Sequence, residues 1–135
     1  MGNLRDRCEE AAEGLIVEAG AWADDALLDR TARLLREAPH RPPMLDDAKV
    51  LADAVNLEDF GVVGLVQQVI QLARHGQGVA QLADGLEKRE QYGYWDARLK
   101  DGFHFGPVRD QARRRLEHAR QTAALLREEL ADDGG

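Results

Sequence analysis

The apolar residues of this chain recur at intervals of three and four positions from one end to the other, and that periodicity constrains the fold more than any other feature. Leu4, Cys8, Ala11, Ala12, Leu15, Ile16 and Ala19 make one continuous helical stripe, with Asn3 placed to cap its start and Gly20 to end it. Leu27, Leu28, Thr31, Leu34, Leu35 and Ala38 repeat the pattern until Pro39, Pro42 and Pro43, which cannot continue a helix because proline lacks the backbone donor and its ring clashes with the preceding turn. Residues 39–44 therefore read as a linker. After it, Asp46 can cap a short third helix carrying Val50, Leu51, Ala54 and Val55. Between Asp59 and His75, Phe60, Val62, Val63, Leu65, Val66, Val69, Ile70, Leu72 and Ala73 cover nearly the whole helical circumference, the pattern of a central helix buried on all sides. Val62–Val66 alone could form a strand, but Gln67, Gln68 and Gln71 favour a helix and no second strand is available to pair with it. A turn at Gly76–Gly78 leads into a fifth helix from Val79 to about Lys100, weakened at Gly85 and Gly93. Pro107 then opens a long helix over 107–131, whose stripe of Val108, Ala112, Leu116, Ala119, Ala123, Leu126 and Leu130 keeps near-heptad spacing. The expected fold is all-α, an irregular or orthogonal bundle of five to seven helices in a single domain over 1–135.

A chain of 135 residues can build one core, and 44% apolar with 32% charged residues, interleaved throughout, belong to a folded chain and not a disordered one. There is no apolar run near eighteen residues and no basic stretch ahead of an apolar one, so neither a membrane span nor a secretory signal is expected, and the protein is expected in the cytoplasm. The single cysteine, Cys8, excludes a disulfide framework and reads as a small buried thiol. Cationic residues are 15 Arg against 3 Lys, a skew common in GC-rich bacterial and phage genomes. The net charge of −7 is uneven: residues 1–60 carry 7 basic and 14 acidic side chains, whereas 88–120 carry 9 and 5. An acidic first half argues against general affinity for nucleic acid, which needs a concentrated basic face.

Little in the sequence supports catalysis. The four histidines, at 40, 75, 104 and 118, have no helical spacing that would make a zinc or di-iron site, so no metal and no cofactor are expected. Acid pairs such as Glu9-Glu10, Asp24-Asp25 and Asp46-Asp47 sit in first turns or on polar faces, where caps and solvated charges are the ordinary explanation. Glu9, Glu10 and Glu13 could supply half of the magnesium site of an all-α nucleotide pyrophosphatase, but no matching acidic helix is evident. The chain is therefore not expected to be an enzyme. Gly76, Leu82, Ala83 and Leu86 match a degenerate pattern for the first helix of a helix-turn-helix over 72–100, with 87–100 as the recognition helix; two packed helices joined by a glycine turn give the same pattern.

The most distinctive stretch is 92–113. Tyr92, Tyr94, Trp95, Phe103 and Phe105 are five of the chain's seven aromatics, and they lie in its one net-basic region beside His104, Arg98, Arg109 and Arg113. Aromatic faces next to arginines can hold a planar or anionic ligand or form a protein hot spot; the same residues can equally staple a loop onto the core. Trp95, Arg98, Gly102, Phe103, Phe105, Gly106, Arg109, Asp110 and Arg113 resemble the signature of the RYR domain, a module repeated in ryanodine receptors and found in bacterial and phage proteins. The match departs from the family in the one-residue-shorter spacing from Trp95 to Arg98, in Phe103 where the family has tryptophan, and in lacking the downstream His-Pro and Pro-Tyr elements. The resemblance implies a non-enzymatic α-helical module for ligand or protein binding, in bacterial regulation or phage–host conflict.

The expected function is thus a non-catalytic recognition module taking a protein partner or a small anionic ligand through Tyr94, Trp95, Arg98, Phe103, His104, Phe105, Arg109 and Arg113. Two alternatives stand beside it, a helix-turn-helix DNA-binding regulator and an acidic phage or plasmid accessory protein that occupies a host nucleic-acid-binding protein. The near-heptad stripe of the last helix allows either a homodimer or packing on its own core. Arg109 falls in the first turn of that helix, where a cation opposes the helix dipole by about 0.3–1 kcal/mol, so it is expected to serve binding more than folding.

Overall fold

The computed structural model describes residues 3–40 and 43–133, and among them are seven helices and no strand. These are α1 (Leu4–Ala19), α2 (Asp25–Glu37), α3 (Asp46–Glu58), α4 (Gly61–Arg74), α5 (Val79–Gln91), α6 (Tyr94–Asp101) and α7 (Gly106–Asp133). The all-α expectation holds. The chain divides into two compact units, Met1–Ala54 and Val55–Gly135, with the boundary inside α3. The two units differ in the size of their buried side chains. The buried positions of the first unit are mostly alanines, namely Ala12, Ala19, Ala32, Ala38, Ala48 and Ala52, whereas Phe60, Trp95, Phe103 and Leu116 all fall in the second.

In the first unit α1 and α2 pack as a helical hairpin. Asn3 caps α1 as its position implies, its Oδ1 accepting the Asp6 amide at 2.9 Å, and Asp24 caps α2 by accepting from Ala26 and Leu27 at 2.8 and 3.2 Å. Arg36 of α2 holds Glu9 of α1 through Nε at 2.9 and 3.1 Å. Asp46 is the first residue of α3 and not its cap; with Asp47 it places negative charge in the first turn, where the helix dipole favours it. Of the proline segment, Pro39 is half-buried and Pro43 is buried, while Pro42 lies outside the described residues.

In the second unit α4 packs on α7 and α5. Gly61, with φ +88°, starts α4 so close to α7 that an added Cβ would stand 2.9 Å from the Cβ of Arg115. Gly61, Gly64 and Leu65 face inward, but Val62, Val63, Val66, Val69 and Ile70 remain 39–54% exposed. The central, fully surrounded α4 expected from the sequence is therefore corrected: its two apolar faces are real, and α5 and α7 cover one of them. The fifth helix expected to run to Lys100 is two helices, because Gly93 takes a left-handed φ of 65° and turns the chain between α5 and α6. α7 starts one residue before Pro107 and runs 28 residues. Its stripe is consumed internally: Ala112 and Leu116 pack in one buried cluster, Ala119 and Ala123 in a second, with Val108 and Leu126 against their edges.

Candidate functional site

The aromatic segment is organised around Phe60, which precedes α4 and stands in the sequence as only one apolar position among many between 60 and 73. Its ring meets Trp95 edge-on at 4.9 Å and Phe103 at 5.4 Å, and the three are 1%, 6% and 4% exposed. Leu99, Ala112 and Leu116 complete this cluster. Aromatics at such separations gain from edge-to-face geometry as well as from burial, so the rings pin α6 and the 102–105 loop to the start of α4. A phenylalanine just ahead of a helix-starting glycine was the available signal, but only its partners, over thirty residues away, reveal it as the hub.

The arginines of the segment are spent on the same structure. Arg98 donates to Asp59 Oδ2 at 3.1 Å, to Asn56 Oδ1 at 3.2 Å and to the Tyr94 hydroxyl at 3.3 Å, and its guanidinium lies 5.3 Å from the Phe60 ring centre. Asn56 in turn donates to the Gly102 carbonyl at 2.8 Å. Arg109 donates Nε to the Leu99 carbonyl and Nη2 to the Phe103 carbonyl, both at 2.8 Å. Leu99 is in the last turn of α6, whose carbonyls lack helical partners, so the cation caps the negative end of α6 from α7. These bonds give Arg109 a structural engagement that the sequence alone does not show: its side chain holds two backbone carbonyls, one at the end of α6 and one in the loop after it.

The eight expected site residues thus separate. Trp95 and Phe103 are buried, and Arg98 and Arg109 are half-buried and engaged. Tyr94, His104, Phe105 and Arg113 remain exposed, Arg113 pairing with Asp110 of its own helix at 2.8 Å. Tyr94 stands edge-on to Trp95 at 5.0 Å, with the Arg89 guanidinium 5.1 Å from its ring centre. The stretch 87–100 that would serve as a recognition helix is broken at Gly93, and its Trp95 and Leu99 are buried.

On the other side of Trp95 the same helices leave a cleft of about 240 Å³. Its apolar lining is Leu65 of α4, Leu86 of α5, Trp95 of α6, and Leu116, Ala119 and Ala123 of α7; Asp59, Glu90, Arg120 and Arg127 stand around it. Arg120 grips Glu90 through Nε at 2.8 Å and Nη2 at 3.1 Å and reaches Asp96 at 3.4 Å, and the hydrogen bond with Glu90 pushes its guanidinium pKa up, partly opposed by burial. Arg127 is exposed and takes part in no ion pair among the described residues. This cleft has no signal in the sequence, because its walls come from four helices and it opens where α7 presents alanines. No protein-family model, curated protein or solved structure matches the chain. Among the described residues no three His, Cys, Asp or Glu side chains stand together as metal ligands, and no helix is long and apolar enough to cross a membrane.

Proposed function

We propose that this chain is a non-catalytic helical recognition module, and that its partner is a protein whose bulky apolar side chain enters the cleft beside Trp95. The cleft itself carries this reading. At about 240 Å³ it is smaller than the roughly 300–1,000 Å³ in which small-molecule ligands bury most of their surface, and it suits one anchoring side chain of a protein segment. Its apolar floor supplies the contact area, and Arg127 at the rim favours a carboxylate next to the anchor. The segment 92–113 contributes Trp95 to the cleft wall and otherwise holds that wall in place through the Arg98 and Arg109 bonds.

Panning displayed peptides against the full chain tests the reading. Enriched sequences should combine a bulky apolar residue with an adjacent acid. Arg127→Glu should weaken their binding roughly tenfold, about 1.4 kcal/mol, and Ala123→Leu, which narrows the cleft, should weaken it further with helicity unchanged. No enrichment, or affinities indifferent to both substitutions, refutes the proposal.

A further inference from the structure

The exposed face of α4 is a second surface, separate from the cleft. At 100° per residue, Val69, Val62, Ala73, Val66, Ile70 and Val63 fall in sequence across about a third of the helix circumference, opposite the face of Gly61, Gly64, Leu65 and Leu72 that meets the rest of the unit. Val62, Val63, Val66, Val69 and Ile70 are 43, 54, 54, 39 and 48% exposed. Together they leave roughly 350–400 Å² of apolar surface in water, the size of the largest apolar patch on a typical monomer, which is often functional, and about half of one partner's share of a standard interface. Isolated exposed apolar residues are common; a contiguous stripe of β-branched residues is not explained by folding.

We infer that this face pairs with the same face of a second copy, the two α4 helices running antiparallel about a two-fold axis. Charge selects the occupant. In a chain with a net charge of −7, most surfaces of two copies repel one another, whereas α4 has no charged side chain before Arg74, so the stripe meets itself without bringing like charges together. Charge also selects the direction. Arg74 flanks the stripe at the C-terminal end of α4, on the side of Val63 and Gln67. Glu58 flanks it on that same side at the N-terminal end, where its Oε2 accepts from Gln67 at 3.3 Å. A two-fold axis perpendicular to antiparallel helices keeps each flank on its own side and reverses its ends, so Arg74 of each copy faces Glu58 of the other; a parallel pair does not bring them together. The spacing of Val62, Val66, Val69, Ile70 and Ala73 supplies the i, i+4, i+7, i+8, i+11 ridge that helix pairs interdigitate.

Sedimentation velocity of the full chain from about 1 to 200 μM decides the matter. The parent should show a concentration-dependent dimer. Val66→Glu, at the centre of the face and outside the core, should be monomeric throughout with unchanged helicity and melting temperature. Arg74→Glu and Glu58→Lys should each raise the dissociation constant several-fold, and the double variant should return it towards the parental value. A monomeric parent, or a Val66→Glu variant that dimerises like the parent, overturns the α4 interface; failure of the double variant to recover overturns the antiparallel arrangement.

Discussion

Replacing Arg109 by alanine separates a clamp from an incidental surface cation. The side chain makes two charge-assisted bonds of 2.8 Å to the carbonyls of Leu99 and Phe103. One ends α6, a helix of eight residues with Trp95 and Leu99 as its buried anchors, and the other fixes the loop residue that packs on Phe60. A hydrogen bond to a charged group contributes about 1.5–3 kcal/mol when buried. Because this pair is only partly buried, the two together are worth about 2–3 kcal/mol, against which relief from the α7 dipole returns about 0.3–1 kcal/mol. The net loss of about 2 kcal/mol should lower the melting temperature by roughly 6–12 °C. Trp95 is 6% exposed and Trp22 80%, so the blue-shifted part of the tryptophan emission follows the unit that contains Arg109. Arg109→Lys keeps the charge but cannot span both carbonyls with a planar fork, and should fall about midway. A melting temperature for Arg109→Ala within about 2 °C of the parent would show that water satisfies both carbonyls as well, and that the clamp contributes nothing.

Further outcomes follow from the packing of each unit. Trp95→Ala removes a buried ring between Phe60 and Tyr94 and should cost about 3–5 kcal/mol, visible as loss of near-ultraviolet dichroism before any change in helicity. Gly93→Ala and Gly61→Ala both force a side chain into positive φ, but nothing lies within 4 Å of a Cβ at 93 while one at 61 meets Arg115 at 2.9 Å; chemical denaturation should show a loss of about 1–2 kcal/mol for the first and clearly more for the second. Burial pushes the Cys8 thiol up, partly opposed by Arg7, so thiol reagents at pH 8 should label it far more slowly in the native than in the denatured chain. Since the native state retains this proton to higher pH than the unfolded state, Cys8 contributes stability that is present below the ordinary thiol range and lost as pH rises above it; Cys8→Ser should flatten that alkaline slope.

Local chemistry sufficed where a structure depends on neighbours in the chain. The helices α1 and α2, the Asn3 cap and the stop of α2 at Ala38 follow from interactions within a few residues and appear in the structure, and α7 starts within one residue of Pro107, whereas Ile16 and Leu27 of the two apolar stripes stand 40% and 61% exposed. Trp95 and Phe103 could be singled out by their grouping, but their roles could not, because an aromatic beside an arginine has the same sequence whether it faces a ligand or a core. That distinction rests on Phe60 and Asn56, some forty residues earlier, and on the carbonyls that Arg98 and Arg109 reach across the fold. Gly93 carries both a helical and a turn reading, and burial of Trp95 and Leu99 on one side and Leu82 and Leu86 on the other decides for the turn. α4 shows the limit most plainly. Periodicity reports that a helix is apolar all round, and how many neighbours arrive to cover it depends on tertiary packing; here α5 and α7 take the side of Gly61, Gly64 and Leu65, and the valine face stays in water.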